Sequence, residues 1–346
     1  MDIISILDNI NSNEDLTSIK KNVLEFFEEV ENHTEKIISY HLNGNNQSIR
    51  KELLLKELQQ ILDTKTIERT KYYLNRLIKS LSVQKEGKIN DLNLNRWKEY
   101  DDIITDSLWI FDKRDTSGMH KAGYWGNFIP QIPNQLLRRY TKKGEWVFDP
   151  FLGSGTTLIE CKRLGRNGIG IELNKQVAKA TEENIKKEKN PFNVTTKVIQ
   201  GNSGTINYKS VSKKLKVESF QFMIMHPPYW DIIRFSNNKD DLSNAKSTES
   251  FLGMFRKIID NTYPILDRGR YCAVIIGDKY SAGEWIPLGF YVMQEMMKKG
   301  FKLKSTIIKN FDQTTAKRNQ KELWRYRALA GGFYIFKHEY IFLFQK

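Results

Sequence analysis

Two short stretches hold the residue types and spacings that suit chemistry. In MIMHPPYW (223–230) an apolar run predicts a buried strand, which ends at His226 and is followed by Pro227, Pro228, Tyr229 and Trp230. A neutral imidazole at a strand end accepts one hydrogen bond, whereas an imidazolium accepts none. The two prolines after it stiffen the turn and carry no N–H. In EWVFDPFLGSGTTLIECKRLGRNGIGIELN (145–174) a strand ends at Asp149 and a tight turn with Gly153 and Gly155 follows. A helix then begins near Thr156. Glycines let backbone approach a ligand closely, and a helix start presents unpaired N–H groups. The next strand ends at Glu172, 23 residues after Asp149, where a carboxylate can accept hydrogen bonds from ribose hydroxyls. A nucleoside-containing cofactor is the natural ligand for that βαβ unit.

Three cofactor classes compete for it. A phosphate-cradling P-loop needs Gly-Lys-Ser/Thr after the glycines, and GSGTT (153–157) has no lysine. A nicotinamide dinucleotide site favours GxGxxG, which the spacing and the leading DPF do not match. S-adenosylmethionine remains.

The elements around these stretches predict two parts. Residues 1–85 contain no proline, and apolar residues recur at helical spacing in 16–40 and 49–81, as at Leu53, Leu54, Leu58, Ile61, Leu62 and at Tyr72, Leu74, Leu77, Ile78, Leu81. This predicts an all-helical module over 1–95, with HLNGNNQS (41–48) as a break between helices and 83–93 as a linker. From about Trp109 strands alternate with helices: 145–150, 167–173, 195–201, 220–226, 270–278, 302–310 and 338–344 are strand-like, and 157–164, 175–189 and 248–266 are helical. That alternation predicts an α/β domain over 96–346 built on a mostly parallel sheet, with ligands beyond the carboxyl ends of the strands.

At 346 residues and 40% hydrophobic composition the chain can bury a sizeable core. No apolar run is long enough to span a bilayer, and MDIISILDNINSNED lacks an export signal's basic start. Cys161 and Cys272 are the only cysteines, each in an apolar segment, which argues against a disulfide framework or a cysteine metal site and for a reducing, cytoplasmic setting. No metal site is expected. The net charge is +14, and it is unevenly placed: the first 100 residues hold 15 of the 55 Lys and Arg and 16 of the 41 Asp and Glu, leaving 40 against 25 in the rest. A basic second part suits a polyanion.

DPFLGSGTT resembles the cofactor motif of the DNA amino-methyltransferases that modify adenine N6 or cytosine N4. The resemblance extends upstream through HKAGYWGNFIPQIPNQLLRRYTKKGEWVFDP (120–150) and downstream to QGNS (200–203) and HPPY. It implies a Rossmann-like methyltransferase domain with a seven-stranded sheet and S-adenosylmethionine as cofactor. By it, Asp149, Pro150, Phe151, Gly153, Gly155, Thr156, Thr157 and Glu172 would form the cofactor turn and its ribose acceptor. Asn127, Phe128 and Ile129 would close over the methionine end, and Asn202 would meet the adenine. The family's catalytic motif is Asp, Asn or Ser, then Pro-Pro, then an aromatic. A side chain and a backbone carbonyl there accept hydrogen bonds from an exocyclic amine, freeing its lone pair to attack the methyl group in line. His226, Pro227, Pro228 and Tyr229 would fill those places, with Tyr229 stacking on a base swung out of double-stranded DNA and Trp230 supporting it.

His226 departs from the motif. Either it takes the acceptor role, with Asp231 near enough in sequence to orient it, or the site has lost catalysis and only binds. An enzyme of similar fold acting on RNA shares the same residues.

The chain closes on HEYIFLFQK, which resembles the family's last strand, so base recognition is expected elsewhere. Basic residues Lys317, Arg318, Arg325 and Arg327 interleave with Trp324 in 307–332, and the polar stretch 231–250, with Arg234, reads as a mobile loop beside the catalytic turn. The nearly neutral first module would dimerise, bind a partner or cover a groove. A restriction-modification or other genome-marking role follows from the resemblance.

Overall fold

The computed structural model describes residues 2–120, 126–310 and 321–346. The chain forms two compact units, Met1–Ile103 and Ile104–Lys346.

The first unit contains α1 (Ile3–Ser12), α2 (Leu16–Asn32), β1 (Ile37–Leu42), β2 (Asn45–Arg50), α3 (Lys51–Leu62) and α4 (Ile67–Ser82). Ile19, Val23, Phe26 and Val30 of α2 recur every three or four residues and are all buried, packing with Leu54 and Leu58 of α3 and Leu74 and Leu77 of α4. Side-chain caps start the helices: Asp15 accepts from Ser18 N at 2.8 Å, and Thr66 accepts from Arg69 N at 3.3 Å. The unit is not all-helical. HLNGNNQS is a β-hairpin rather than a helix break, with Leu42 paired to Asn45 across Asn43 (φ 49°) and Gly44 (φ 78°). Asn-Gly suits the positive φ that a two-residue hairpin turn demands at both centres. Ile38 and Tyr40 alternate inward from β1, and the Tyr40 hydroxyl donates to Leu81 O at 3.0 Å.

The second unit contains β3 (Leu108–Trp109), α5 (Gln131–Tyr140), β4 (Trp146–Asp149), α6 (Thr156–Leu164), β5 (Asn167–Glu172), α7 (Lys175–Lys187), β6 (Thr196–Gln200), α8 (Tyr208–Leu215), β7 (Phe220–Met225), α9 (Thr248–Thr262), β8 (Leu266–Ile276), β9 (Lys279–Ser281), β10 (Glu284–Ile286), α10 (Leu288–Lys299), β11 (Lys302–Asn310), α11 (Lys321–Gly331) and β12 (His338–Gln345). Eight strands, one more than the seven expected, form the main sheet in the order β3-β11-β12-β8-β7-β4-β5-β6. The extra strand is β3, two residues paired in parallel with Ile308 and Lys309, too short to leave a periodic signal. β9 and β10 form a separate hairpin. In the main sheet only β12 runs against its neighbours.

The central strands are apolar on both faces because helices cover both: Phe222, Met223, Ile224 and Met225 of β7 and Cys272 through Ile276 of β8 are fully buried. After β4 the chain winds outward through β5 and β6, then returns to place β7 on the other side of β4. That reversal opens a crevice beyond the carboxyl ends of β4 and β7, where the two chemistry-bearing stretches lie. Because β12 runs the other way, its first residues join the same edge. Among the described residues no helix is long and apolar enough to cross a membrane.

Candidate active site

A cavity of about 1130 Å³ opens at that edge. Pro150, Phe151, Gly153 and Thr156 of the glycine turn line it, as do Glu172, Asn202, and Asn127 to Ile129. So do His226, Pro227, Pro228 and Tyr229. The two stretches picked out by residue type therefore face one space.

The turn is held from behind. Asp149, 1% exposed, accepts from Phe151 N at 2.9 Å and from the Thr157 hydroxyl at 2.6 Å. Burial pushes its carboxyl up to about 7, against the pull of those two hydrogen bonds. Asp149, Thr157 and Gly155 brace the turn rather than line the cavity. Gly155 has φ 84°, and a Cβ there would lie 2.8 Å from Thr181 Cγ2 and 2.9 Å from Ile185 Cδ1, so only glycine lets the start of α6 settle onto α7.

Glu172 is buried at the end of β5, and its oxygens accept from Gly153 N at 2.9 Å and Asn174 N at 2.8 Å. Burial raises its pKa. Each oxygen keeps a second lone pair for a ligand hydroxyl. Asn202 uses Oδ1 on Gly204 N at 2.8 Å. Asn127 donates to the Ser154 hydroxyl at 2.8 Å, tying the upstream segment to the turn. Arg114, which no sequence signal picked out, donates through Nη1 to Phe128 O at 3.0 Å. Among the described residues its Nε and Nη2, both buried, have no hydrogen-bond partner, and Arg114 lines the cavity. Such orphaned donors ask for an anionic ligand.

At the His-Pro-Pro-Tyr turn, His226 Nε2 lies 3.1 Å from the Tyr229 hydroxyl, which donates to Glu339 Oε2 at 2.5 Å. Glu339 Oε1 is 3.2 Å from Lys309 Nζ, and both side chains are buried. Phe128 covers the imidazole, ring centroids 5.0 Å apart. Burial lowers the His226 pKa to about 4, with Glu339 opposing and Lys309 adding to the shift, so the ring is neutral near pH 7. Asp231 is not the imidazole's partner. It is exposed and pairs with Lys279, whose ammonium sits 3.9 Å over the Trp230 ring. The Trp230 indole N–H donates to Ala245 O at 2.7 Å.

The 231–250 stretch is internally bonded. Asp241 accepts from the Ser236 hydroxyl at 2.7 Å and Ser243 N at 2.9 Å, and the Asn244 amide donates to Ser236 O and Asn238 O. Arg234 is exposed on it. Arg325 and Arg327 are exposed on α11, with the Arg327 guanidinium 5.4 Å from the Trp324 ring centre. Lys317 and Arg318 lie outside the described residues. Cys161 and Cys272 are both buried free thiols.

Strand order, a single reversed strand and a glycine turn at the switch point define a Rossmann-like methyltransferase fold. The chain belongs to the DNA methylase family of adenine-N6 and cytosine-N4 methyltransferases, whose model matches residues 3–183 and 220–346. Type II methyltransferase M.MjaII of Methanocaldococcus jannaschii is 42% identical over 65 residues, 18% of this chain and 12% of that protein. M2.DpnII of Streptococcus pneumoniae is 37% identical over 100 residues, 28% and 34% of the two chains. M.HpaI of Haemophilus parainfluenzae is 27% identical over 142 residues, 40% and 41%. The matched stretches thus span less than half of each of these relatives.

Proposed function

We propose that the protein transfers a methyl group from S-adenosylmethionine to the exocyclic amine of an adenine or cytosine flipped out of duplex DNA, within a cytoplasmic restriction-modification or genome-marking system. One observation carries this reading: the glycine turn with its ribose acceptor and the His-Pro-Pro-Tyr turn line one cavity. At about 1130 Å³ that cavity exceeds the usual ligand pocket of roughly 300–1000 Å³, leaving room for a cofactor and a base together.

The residues fit the cofactor. Glu172 would accept from the ribose hydroxyls, Asn202 would meet the adenine, and Nε and Nη2 of Arg114 would take the methionine carboxylate. When bound, the cofactor supplies an electrophilic methyl carbon on a sulfonium, whose bond to sulfur breaks as the bond to the amine nitrogen forms. The protein's task is to raise the amine's nucleophilicity. Neutral His226 accepts one amine N–H, a carbonyl of the proline turn accepts the other, and the proton lost from nitrogen leaves to solvent. Arg234, Arg325, Arg327 and Trp324 contribute basic and aromatic side chains for the duplex.

Incubation with methyl-labelled S-adenosylmethionine and either duplex DNA or RNA tests the reading. Label is expected on DNA. Label on RNA alone, or on neither, overturns it.

A further inference from the structure

We infer that Glu339, acting through Tyr229, sets the tautomer of His226 and so decides which ring nitrogen is presented to the target amine. The consequence for catalysis rests on the amino-methyltransferase reading; the proton arrangement does not.

Glu339 enters the site because β12 is reversed: it pairs in register with Lys309 near the carboxyl end of β11, and both side chains are buried. A carboxylate held 3.2 Å from an ammonium is ionised and has no hydrogen to give. In the 2.5 Å contact between Tyr229 and Glu339 the hydrogen therefore comes from the tyrosine. A phenol has one hydrogen, so toward His226 Nε2, 3.1 Å away, the Tyr229 oxygen can only accept. Nε2 must carry the ring proton. Nδ1 is then the bare nitrogen. It makes no hydrogen bond among the described residues, and His226 lines the cavity.

A free imidazole samples both tautomers, and the wrong one would aim an N–H at the amine's own N–H. An ionised carboxylate at this place needs no such control. The histidine does, and the Lys309–Glu339–Tyr229 chain supplies it. Glu339 also borders the cavity, but its part here is that of a positioning residue, exerted through Tyr229.

Nitrogen NMR of the full chain with isotope-labelled histidine, free of ligand, reads the tautomer directly. His226 should show a protonated Nε2 and a bare Nδ1. In the E339Q variant the carboxamide can donate to the Tyr229 oxygen, freeing the phenol hydrogen for Nε2. The tautomer should then swap or mix, and kcat should fall about 10–100-fold while S-adenosylmethionine affinity stays within twofold or so. Wild-type protein with Nδ1 protonated overturns the inference, as does a folded E339Q variant with an unchanged tautomer. Should E339Q fail to fold, the wild-type spectrum alone decides. A wild-type protein that methylates no DNA defeats the functional reading and leaves the tautomer result standing.

Discussion

The Tyr229 hydroxyl donates to the Glu339 carboxylate across 110 residues of sequence, and this bond anchors the far end of the aromatic ring that follows the Pro-Pro turn. The Cδ2–Cε2 side of the ring lies against backbone: a Cβ on Gly277 would lie 2.9 Å from Tyr229 Cε2. An aromatic clamped on two sides presents its remaining surface to the cavity in one orientation, the pre-organisation that a stacked base needs.

Replacing His226 separates binding from chemistry. H226A removes the acceptor and should abolish methyl transfer, while equilibrium binding of S-adenosylmethionine changes little, because the glycine turn, Glu172 and Arg114 are untouched. H226N restores an acceptor oxygen and should recover measurable turnover. An H226A protein with wild-type turnover would remove the histidine from the mechanism.

The pH dependence follows from burial. His226 is held at about 4 against an ordinary 6.5, so between those values the unfolded chain binds a proton that the folded site refuses. Stability from this group is complete above 6.5 and is lost as pH falls toward 4. Asp149 works in the opposite sense. Raised to about 7, it keeps a proton that the unfolded chain has lost, so its contribution is present below about 4 and is lost as pH rises through 7. Between pH 4 and 6.5 the two slopes oppose each other, so denaturant titrations should show H226N gaining stability relative to wild type as pH falls from 6.5 to 4. Turnover in wild-type protein should pass through pH 6.5 with no step from His226, since the ring stays neutral there; a step that vanishes in H226N would contradict this.

The cofactor's two ends make separable predictions. R114M should weaken S-adenosylmethionine by about 10–100-fold, the worth of a charge-assisted hydrogen bond, and leave adenosine unchanged because adenosine has no carboxylate. E172Q should weaken both ligands. Calorimetric titration of the two variants with the two ligands gives four affinities, and an Arg114 variant that loses adenosine as well would place the guanidinium elsewhere in the site.

What could be read in the sequence tracks how local each feature is. The ends of β4, β5 and β7 are apolar runs closed by Asp149, Glu172 and His226, so the strands and the residues at their tips were visible together. The β1–β2 hairpin was hidden because only Ile38 and Tyr40 alternate inward on β1 and β2 is mostly polar, although Asn43-Gly44 carried the turn signal. Glu339 was hidden for a topological reason: nothing in HEYIFLF says that its strand runs backwards and delivers its first residues to the site. Its one local sign was an acidic residue in an otherwise buried run. Arg114 sits in irregular backbone whose partners are carbonyls, which leave no mark on residue type. Asp231 was nearer His226 in sequence than Glu339, and nearness misled, because the tight helical turn at Trp230–Ile232 points it at Lys279 instead.

Two glycines allow the sharpest structural test. G155A places a methyl group at positive φ and within 2.9 Å of two side chains of α7, so it should cost about 2–4 kcal/mol and blunt cofactor binding as the turn moves. Gly277 differs: no left-handed backbone is required there, and the obstacle is the Tyr229 ring itself. G277A should therefore fold, push the tyrosine away from Glu339 and loosen its hold on His226, while the glycine turn on the far side of β7 keeps its shape. The expected pattern is a lowered kcat with unchanged S-adenosylmethionine affinity in G277A, against lost affinity and a lower unfolding midpoint in G155A. Identical losses of affinity in the two variants would mean that the cofactor and catalytic halves of the cavity are not independent, and that Tyr229 supports the cofactor's seat as much as the base.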